Sequence, residues 1–351
     1  MSKLSFRTLG VEDVGWITEV VNDPEVAKYS LSIYPRTEHE VEDFLKKDLD
    51  DNESKHIVAE VDKKPAGAVD LWWHALGRDR HVASLGIFVR RQYWGKGVGY
   101  GLMKEAERLG NELGHRKLTL GVFHGNSHAL NLYKKSGYKQ EACEHEEVYI
   151  DGSWRDNIIM SLELAKCEPK YKATSKAKPK QVQKSRKTFA GHVQLRHVET
   201  KDLDEVNRLQ NCPQSTRSSF RIPPTTKEET KHWYEGIKSD EGKYCIACFR
   251  DDKMQGYLTF RASFPPFACL RFEEIVVDEN QQPSETADAL VAAVRGFRER
   301  YWYHRIFAYT AETALHIINA LKQNSFTQTG TISSYYYIDG QYASMVLYGY
   351  P

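Results

Sequence analysis

Four glycines alternate with other residues in Tyr93-Trp94-Gly95-Lys96-Gly97-Val98-Gly99-Tyr100-Gly101. Glycines let main chain approach a ligand closely, and the first N–H groups of a following helix lack intrahelical partners. With the helix dipole, such a loop holds a phosphate or pyrophosphate. The flanks fit that reading. Upstream, Ala83, Leu85, Ile87 and Val89 alternate as in a half-buried strand. Downstream, Val98, Leu102, Met103, Ala106, Leu109 and Leu113 fall at helical spacing. The order is strand, glycine loop, helix. A dinucleotide fingerprint needs G-x-G-x-x-G, and a P-loop needs Gly-Lys-Ser/Thr; neither spacing is present. The chemistry indicated is a phosphate-bearing cofactor held by main chain.

Trp94-Gly95-Lys96-Gly97-Val98-Gly99 resembles the (Gln/Arg)-x-x-G-x-(G/A) loop of the GNAT N-acetyltransferase superfamily, with Trp94 where Gln or Arg is usual. Residues 118–142 resemble that superfamily's next strand and helix at Val122, Asn126, Ala129, Leu132, Tyr133, Lys135, Gly137 and Tyr138. Tyr149-Ile150-Asp151-Gly152 through Asp156 and Met160 resembles its closing hairpin. The three segments stand in the family order and cover residues 1–165. The resemblance implies acetyl-CoA, or another acyl-CoA, and direct transfer to a primary amine in a ternary complex. On the same basis the strand at Ile87, Phe88 and Val89 pairs with the pantetheine arm. The amides of Gly95, Lys96, Gly97, Val98, Gly99 and Tyr100 hold the pyrophosphate. Asn126 contacts the cofactor, and Tyr133 protonates the departing thiolate.

An alkylammonium must lose a proton before its nitrogen can attack. Many family members carry Glu on the core strand for this, where Ala83-Ser84-Leu85-Gly86-Ile87 has Ser84. A serine hydroxyl is too weak a base but can orient a water, so Ser84 is expected at the reacting centre. Asp70, His74, His81 and His124 are the titratable neighbours. Two readings stay open: an active N-acetyltransferase, or a non-catalytic acyl-CoA-binding or protein-interaction module of paired GNAT folds. Asn22-Asp23-Pro24-Glu25-Val26 resembles branches that acetylate protein N-termini or spermidine-like amines. Glu141, Glu144, Glu146 and Glu147 read as a solvated face or as a cation-recognition feature.

These residues need a scaffold, and the chain supplies it in two parts. Leu4–Arg7 alternates as a strand and Val11–Val21 as an amphipathic helix. Thr37-Glu38-His39-Glu40 is a capping box, and residues 57–61 and 66–73 form a hairpin turning at 62–65. Residues 166–190 are a lysine-rich linker, read as a solvated spacer. After it the pattern repeats. Asn22-Asp23-Pro24 returns as Asn211-Cys212-Pro213, Thr37 and Glu40 as Thr226 and Glu229, and Gly67 as Gly256. The glycine loop becomes Pro283-Ser284-Glu285-Thr286-Ala287, Asn126 becomes Ala314 and Tyr133 becomes Leu321. Residues 191–351 are therefore expected to be a degenerate copy that binds no coenzyme A and serves as a scaffold, partner or specificity module. Glu273 and Glu274 there read as structural.

The expected fold is α/β with a mixed α+β sheet: two tandem GNAT-like domains, each a mostly antiparallel twisted sheet flanked by helices. A net charge of +1 argues against nucleic-acid or membrane attraction. Six cysteines in so long a chain make no disulfide framework, and Cys245-Ile246-Ala247-Cys248 lacks a second ligand pair, so no metal site is expected. With no apolar signal or spanning run read, cytoplasm is the expected location. The partner expected is an amine substrate, with a homodimer or pairing of the two halves within one chain as the assembly.

Overall fold

The computed structural model describes residues 3–30, 36–75, 77–150, 152–164, 193–212, 215, 223, 225–263 and 268–351. The lysine-rich linker, Asp151 and Pro213 lie outside the described residues. The chain forms two compact units, residues 1–168 and 169–351.

The first unit runs β1 (Leu4–Thr8), a 3-10 turn (Val11–Asp13), α1 (Val14–Val21), α2 (Pro24–Ala27) and α3 (Glu38–Leu49). Then come β2 (Ser54–Val61), β3 (Lys64–Trp73), β4 (Val82–Val89), α4 (Val98–Leu113), β5 (Lys117–Phe123), α5 (Ser127–Lys135), β6 (Lys139–Ile150) and β7 (Ser153–Glu163). The sheet order is β1-β2-β3-β4-β5-β7-β6. Among the described residues of this unit, only β4 and β5 pair in parallel. A parallel pair needs a long crossover, and α4 provides it.

Asp62 and Lys63, with φ of 50° and 64°, turn the β2–β3 hairpin in two residues, so Lys64 and Pro65 already belong to β3. Thr37 and Glu40 form both arms of their capping box and start α3. The apolar face of α1 and α3 buries Ile17, Val41 and Leu45 against Val58 and Ala68 on one side of the sheet. On the other side, α4 buries Val98, Leu102, Met103 and Ala106 against Leu71, Leu85 and Leu118. Leu113, expected on that face, is exposed. Gly110 takes the last inward place, where a Cβ would meet Leu164 and Leu118 at 2.9 and 3.1 Å.

The second unit repeats the plan. It runs β8 (Val193–His197), α6 (Leu203–Gln210), α7 (Lys227–Ser239), β9 (Lys243–Arg250), β10 (Lys253–Ala262) and β11 (Cys269–Val277). It continues with α8 (Pro283–Tyr301), β12 (Arg305–Ala311), α9 (Leu315–Gln323), β13 (Thr327–Ile338) and β14 (Gln341–Tyr350). The order β8-β9-β10-β11-β12-β14-β13 has its parallel pair at β11–β12, matching the first unit strand for strand.

Hydrogen bonds repeat as well as strands. Arg7 is paired with Asp13 at 2.6 Å, and Arg196 with Asp202 at 2.6 Å. The side-chain amide of Asn22 bonds both the N–H and the carbonyl of Arg36, and Asn211 treats Thr225 in the same way. Cys245 and Cys248 point to opposite faces of β9, into different apolar clusters, so they cannot share an ion.

Burial alone would raise the Asp13 carboxyl, but Arg7, the Gly10 N–H and the Trp16 indole outweigh it and hold it below the usual range. Asp202, buried beside Arg196 and the Glu199 N–H, is lowered likewise. A carboxyl depressed in the folded state stabilises above its unfolded value of about 4 and loses that contribution as pH falls through the folded value. Urea unfolding of an Asp13→Asn, Asp202→Asn variant should therefore show lower stability at neutral pH and a shallower decline on acidification than the parent. A decline as steep as the parent's would remove these pairs as the acid-sensitive element. Leu102→Ala should lower stability by about 2–5 kcal/mol in the same measurement.

Candidate active site

The site begins where two strands part. β4 and β5 pair only from Val82–Ser84 to Lys117–Thr119. β4 then runs on to Val89 and β5 to Phe123 with no mutual register among the described residues. The stretch Leu85–Val89 keeps β3 as its neighbour on one side only. Its side chains are committed: Ile87 and Val89 pack toward α4, and Phe88 packs under Trp16, ring centroids 5.8 Å apart. What β4 offers a ligand is main chain along the parting. At its end, the Trp94 indole donates to the Val89 carbonyl at 2.7 Å.

The glycine loop stands at that end. Gly95 and Gly97 adopt φ of 71° and 82°, and a Cβ on either would meet nothing within 4 Å. A left-handed conformation facing open space is a cradle that side chains would both strain and fill. Gly97 is the N-cap of α4, and the first helical bond runs from the Gly101 N–H to the Gly97 carbonyl at 3.0 Å. The amides of Val98, Gly99 and Tyr100 therefore precede the helical ladder. The Lys96 amide differs from the expectation: it donates to the Tyr93 carbonyl at 3.3 Å and so shapes the turn. Lys96 lies over the Tyr93 ring, and Lys104 and Lys135 lie over the Tyr100 ring, which gathers three ammonium groups at the loop. Open cradle, leading amides and cationic rim fit a pyrophosphate. Gly99 serves packing, since a Cβ there would meet Leu132 of α5 at 3.0 Å.

That close approach brings α5 against the loop. Asn126 caps α5, its Oδ1 accepting the Ala129 N–H at 3.1 Å, so the side chain is oriented by the helix it starts. Tyr133 follows Leu132 and is 7% exposed, with its ring 6.2 Å from that of Tyr138. Burial pushes its phenol well above the ordinary range, which keeps the proton on at neutral pH.

The other face of β4 carries the polar groups. Ser84 Oγ is 3.1 Å from Thr119 Oγ1, and in register Ser84 faces Trp72 while Gly86 faces Asp70. Asp70 is bonded at 2.8 Å to His56, which also contacts Ser54 at 3.0 Å and Asp48 at 3.3 Å. Burial would lower the His56 imidazole, but Asp70 and Asp48 prevail and raise it above its ordinary value. The other titratable candidates stand apart. His74 pairs with Asp79 in the β3–β4 connection, His81 precedes β4, and exposed His124 follows β5.

The glutamate run is not a solvated face. Glu144 is buried in alternation with Ala142, and Glu147 is buried where pairing shifts between Glu144 and Val148 and the alternation breaks. Glu144 accepts the Asn157 amide at 3.1 Å, and Glu141 joins fully buried Lys117 at 2.9 Å.

In the second unit β11 and β12 also part after three pairs, but the loop differs. Pro283 opens α8, and the Arg250 guanidinium contacts Gln282 and pairs with Glu285 at 2.9 Å in that first turn. Ala314 caps α9 without a side-chain bond, and Leu321 is fully buried. Glu273 is ion-paired with Arg261 and Lys243.

His56 is the functional candidate that sequence reasoning missed. Counting back from the two-residue turn places it opposite Val69. The irregularity between Ala59 and Glu60 moves it to Asp70.

Residues 18–138 match the model of the acetyltransferase (GNAT) family, and residues 195–347 match that of an acetyltransferase (GNAT) domain. Spermidine N(1)-acetyltransferase of Escherichia coli K12 is 28% identical over 160 residues, covering 45% of this chain and 85% of that protein. The L-amino acid N-acetyltransferase AaaT of the same organism is 28% identical over 162 residues, covering 46% and 98%. Spermidine N(1)-acetyltransferase of Vibrio cholerae is 26% identical over 157 residues, covering 44% and 90%. With one family domain in each half and the same strand order in both, the chain is a tandem member of the GNAT family of N-acetyltransferases.

Proposed function

We propose that the first half transfers an acetyl group from acetyl-CoA to the primary amine of a small molecule, a polyamine or an amino acid. The observation that carries this is the parting of β4 and β5, closed at one end by an open glycine cradle and flanked by the helix bearing Tyr133. The relatives that act on spermidine and on L-amino acids support the substrate class. When bound, acetyl-CoA supplies a thioester whose carbonyl carbon accepts the amine. The main chain of Leu85–Val89 orients the extended arm, and the amides of Gly97 to Tyr100 hold the pyrophosphate at the N-terminus of α4. Asn126, set by its cap, fixes the start of α5 beside that arm.

Two proton movements fall to side chains. Tyr133 holds a proton on Oη at neutral pH, is the donor to the departing sulfur, and regains a proton from the second one that the nitrogen sheds as the amide forms. The ammonium proton passes to the Asp70–His56 pair, with Ser84 Oγ positioning the intervening water. Asp70 lies two residues along β3 from Trp72, the partner of Ser84, a diagonal distance of about 7–8 Å between backbones. A water spans such a gap. The second half binds no coenzyme A in this manner: a guanidinium already engaged with Glu285 occupies the first turn of α8, and a proline removes one of its leading amides.

Calorimetric titration should find one acetyl-CoA site per chain, absent in a Gly97→Glu, Gly99→Glu variant; two sites would overturn the assignment to the first half. Tyr133→Phe should lower kcat about 100-fold with little change in acetyl-CoA affinity. Full turnover in that variant would remove the acid role. Activity should rise with pH through a value above that of an ordinary histidine, because His56 must lose its proton to accept another. His56→Gln should flatten that limb, and a profile identical to the parent's would exclude the pair.

A further inference from the structure

The β6–β7 hairpin gathers a group of side chains that acetyl transfer does not use. Where pairing shifts between Glu144 and Val148, Glu146 turns through a φ of 52°. Cys143 and His145 then converge on Asp156 of β7. Cys143 Sγ is 3.7 Å from His145 Nδ1 and 3.8 Å from Asp156 Oδ2, and His145 Nδ1 is 3.1 Å from Asp156 Oδ2.

Those three separations can be compared with the edges of a coordination tetrahedron. Zinc bonds of about 2.3 Å to sulfur and about 2.0–2.1 Å to nitrogen and oxygen give edges of roughly 3.6, 3.5 and 3.3 Å for S–N, S–O and N–O. Each observed distance is within about 0.3 Å of its counterpart. The second shell is also present. Asp156 Oδ1 accepts the Glu146 N–H at 2.9 Å, which aims Oδ2 at the cluster, and the Asp156 carbonyl accepts the His124 N–H at 2.8 Å. Cys143 is half-buried against the core, while the His145 side chain is 58% exposed, so the fourth position opens toward water.

We propose that Cys143, His145 and Asp156 form a three-ligand site for a thiophilic divalent metal ion, zinc by preference, with water as the fourth ligand. On binding, the Cys143 S–H bond breaks, a metal–sulfur bond forms and the proton passes to solvent. An ordinary His145–Asp156 ion pair beside a thiol would make no such bond.

The test uses the full chain, stripped with chelator and titrated with Co²⁺ alone and then with Zn²⁺. One Co²⁺ per chain should bind with tetrahedral d–d bands and a thiolate-to-cobalt charge-transfer band, and Zn²⁺ should abolish both. Cys143→Ser should lose the charge-transfer band and weaken Zn²⁺ binding at least tenfold, as should His145→Ala on the exposed side of the cluster. A Cys167→Ser, Cys212→Ser variant should keep the full signal. The proposal is overturned by the absence of a stoichiometric ion in the parent. It is equally overturned by an unchanged cobalt spectrum and zinc affinity in either folded variant, Cys143→Ser or His145→Ala.

Discussion

Two parallel strands that pair for only three residues set the terms for the rest of the first unit. A strand, a helix and a parallel strand must connect by a crossover, and the crossover starts at the carboxyl end of the first strand. α4 therefore begins where β4 ends, with its amides aimed back along the parting. The cleft and the anion cradle are thus one consequence of topology. Neither requires a charged side chain in the cleft wall. The residues to which the proposed chemistry is assigned are ones the same geometry brings near, Tyr133 through Gly99 and Leu132, and Ser84 through its place on β4.

The second unit separates topology from chemistry. β11 and β12 part as β4 and β5 do, and the Arg–Asp, Thr–Glu and Asn–backbone bonds return in their places. Those interactions hold strand to helix and loop to helix, so they belong to the fold. The leading glycines, the capping asparagine and the tyrosine do not return. A repeated architecture with unrepeated site residues distinguishes which of the first unit's features are scaffold.

Most of the frame was legible because its signals are local. Alternation marked β4, helical spacing marked α4, and Thr37 with Glu40 marked the start of α3. The phase of α4 was misjudged at its last turn, since Gly110 has no side chain to advertise an inward position. The polar side of the site was hidden for a different reason. His56 meets Asp70 across a register that shifts by one residue, and Cys143 meets Asp156 beside one that shifts by two. A strand sequence carries its alternation but not its bulges, and a single added residue changes which side chains share a face. Buried Glu147 lies in the second of these interruptions.

The asparagine that grips residue 36, and its counterpart that grips residue 225, give the fold a pair of brackets. Asn22 sits at the end of α1 and binds both main-chain groups of Arg36 just before α3. One side chain thus fastens the exit and the re-entry of the intervening segment to the same point. The two ends of that segment are therefore held to one side chain, which ties the end of α1 to the start of α3. The same bracket occurs twice in a single polypeptide, so in either unit the loss of one side chain would release two helix ends at once.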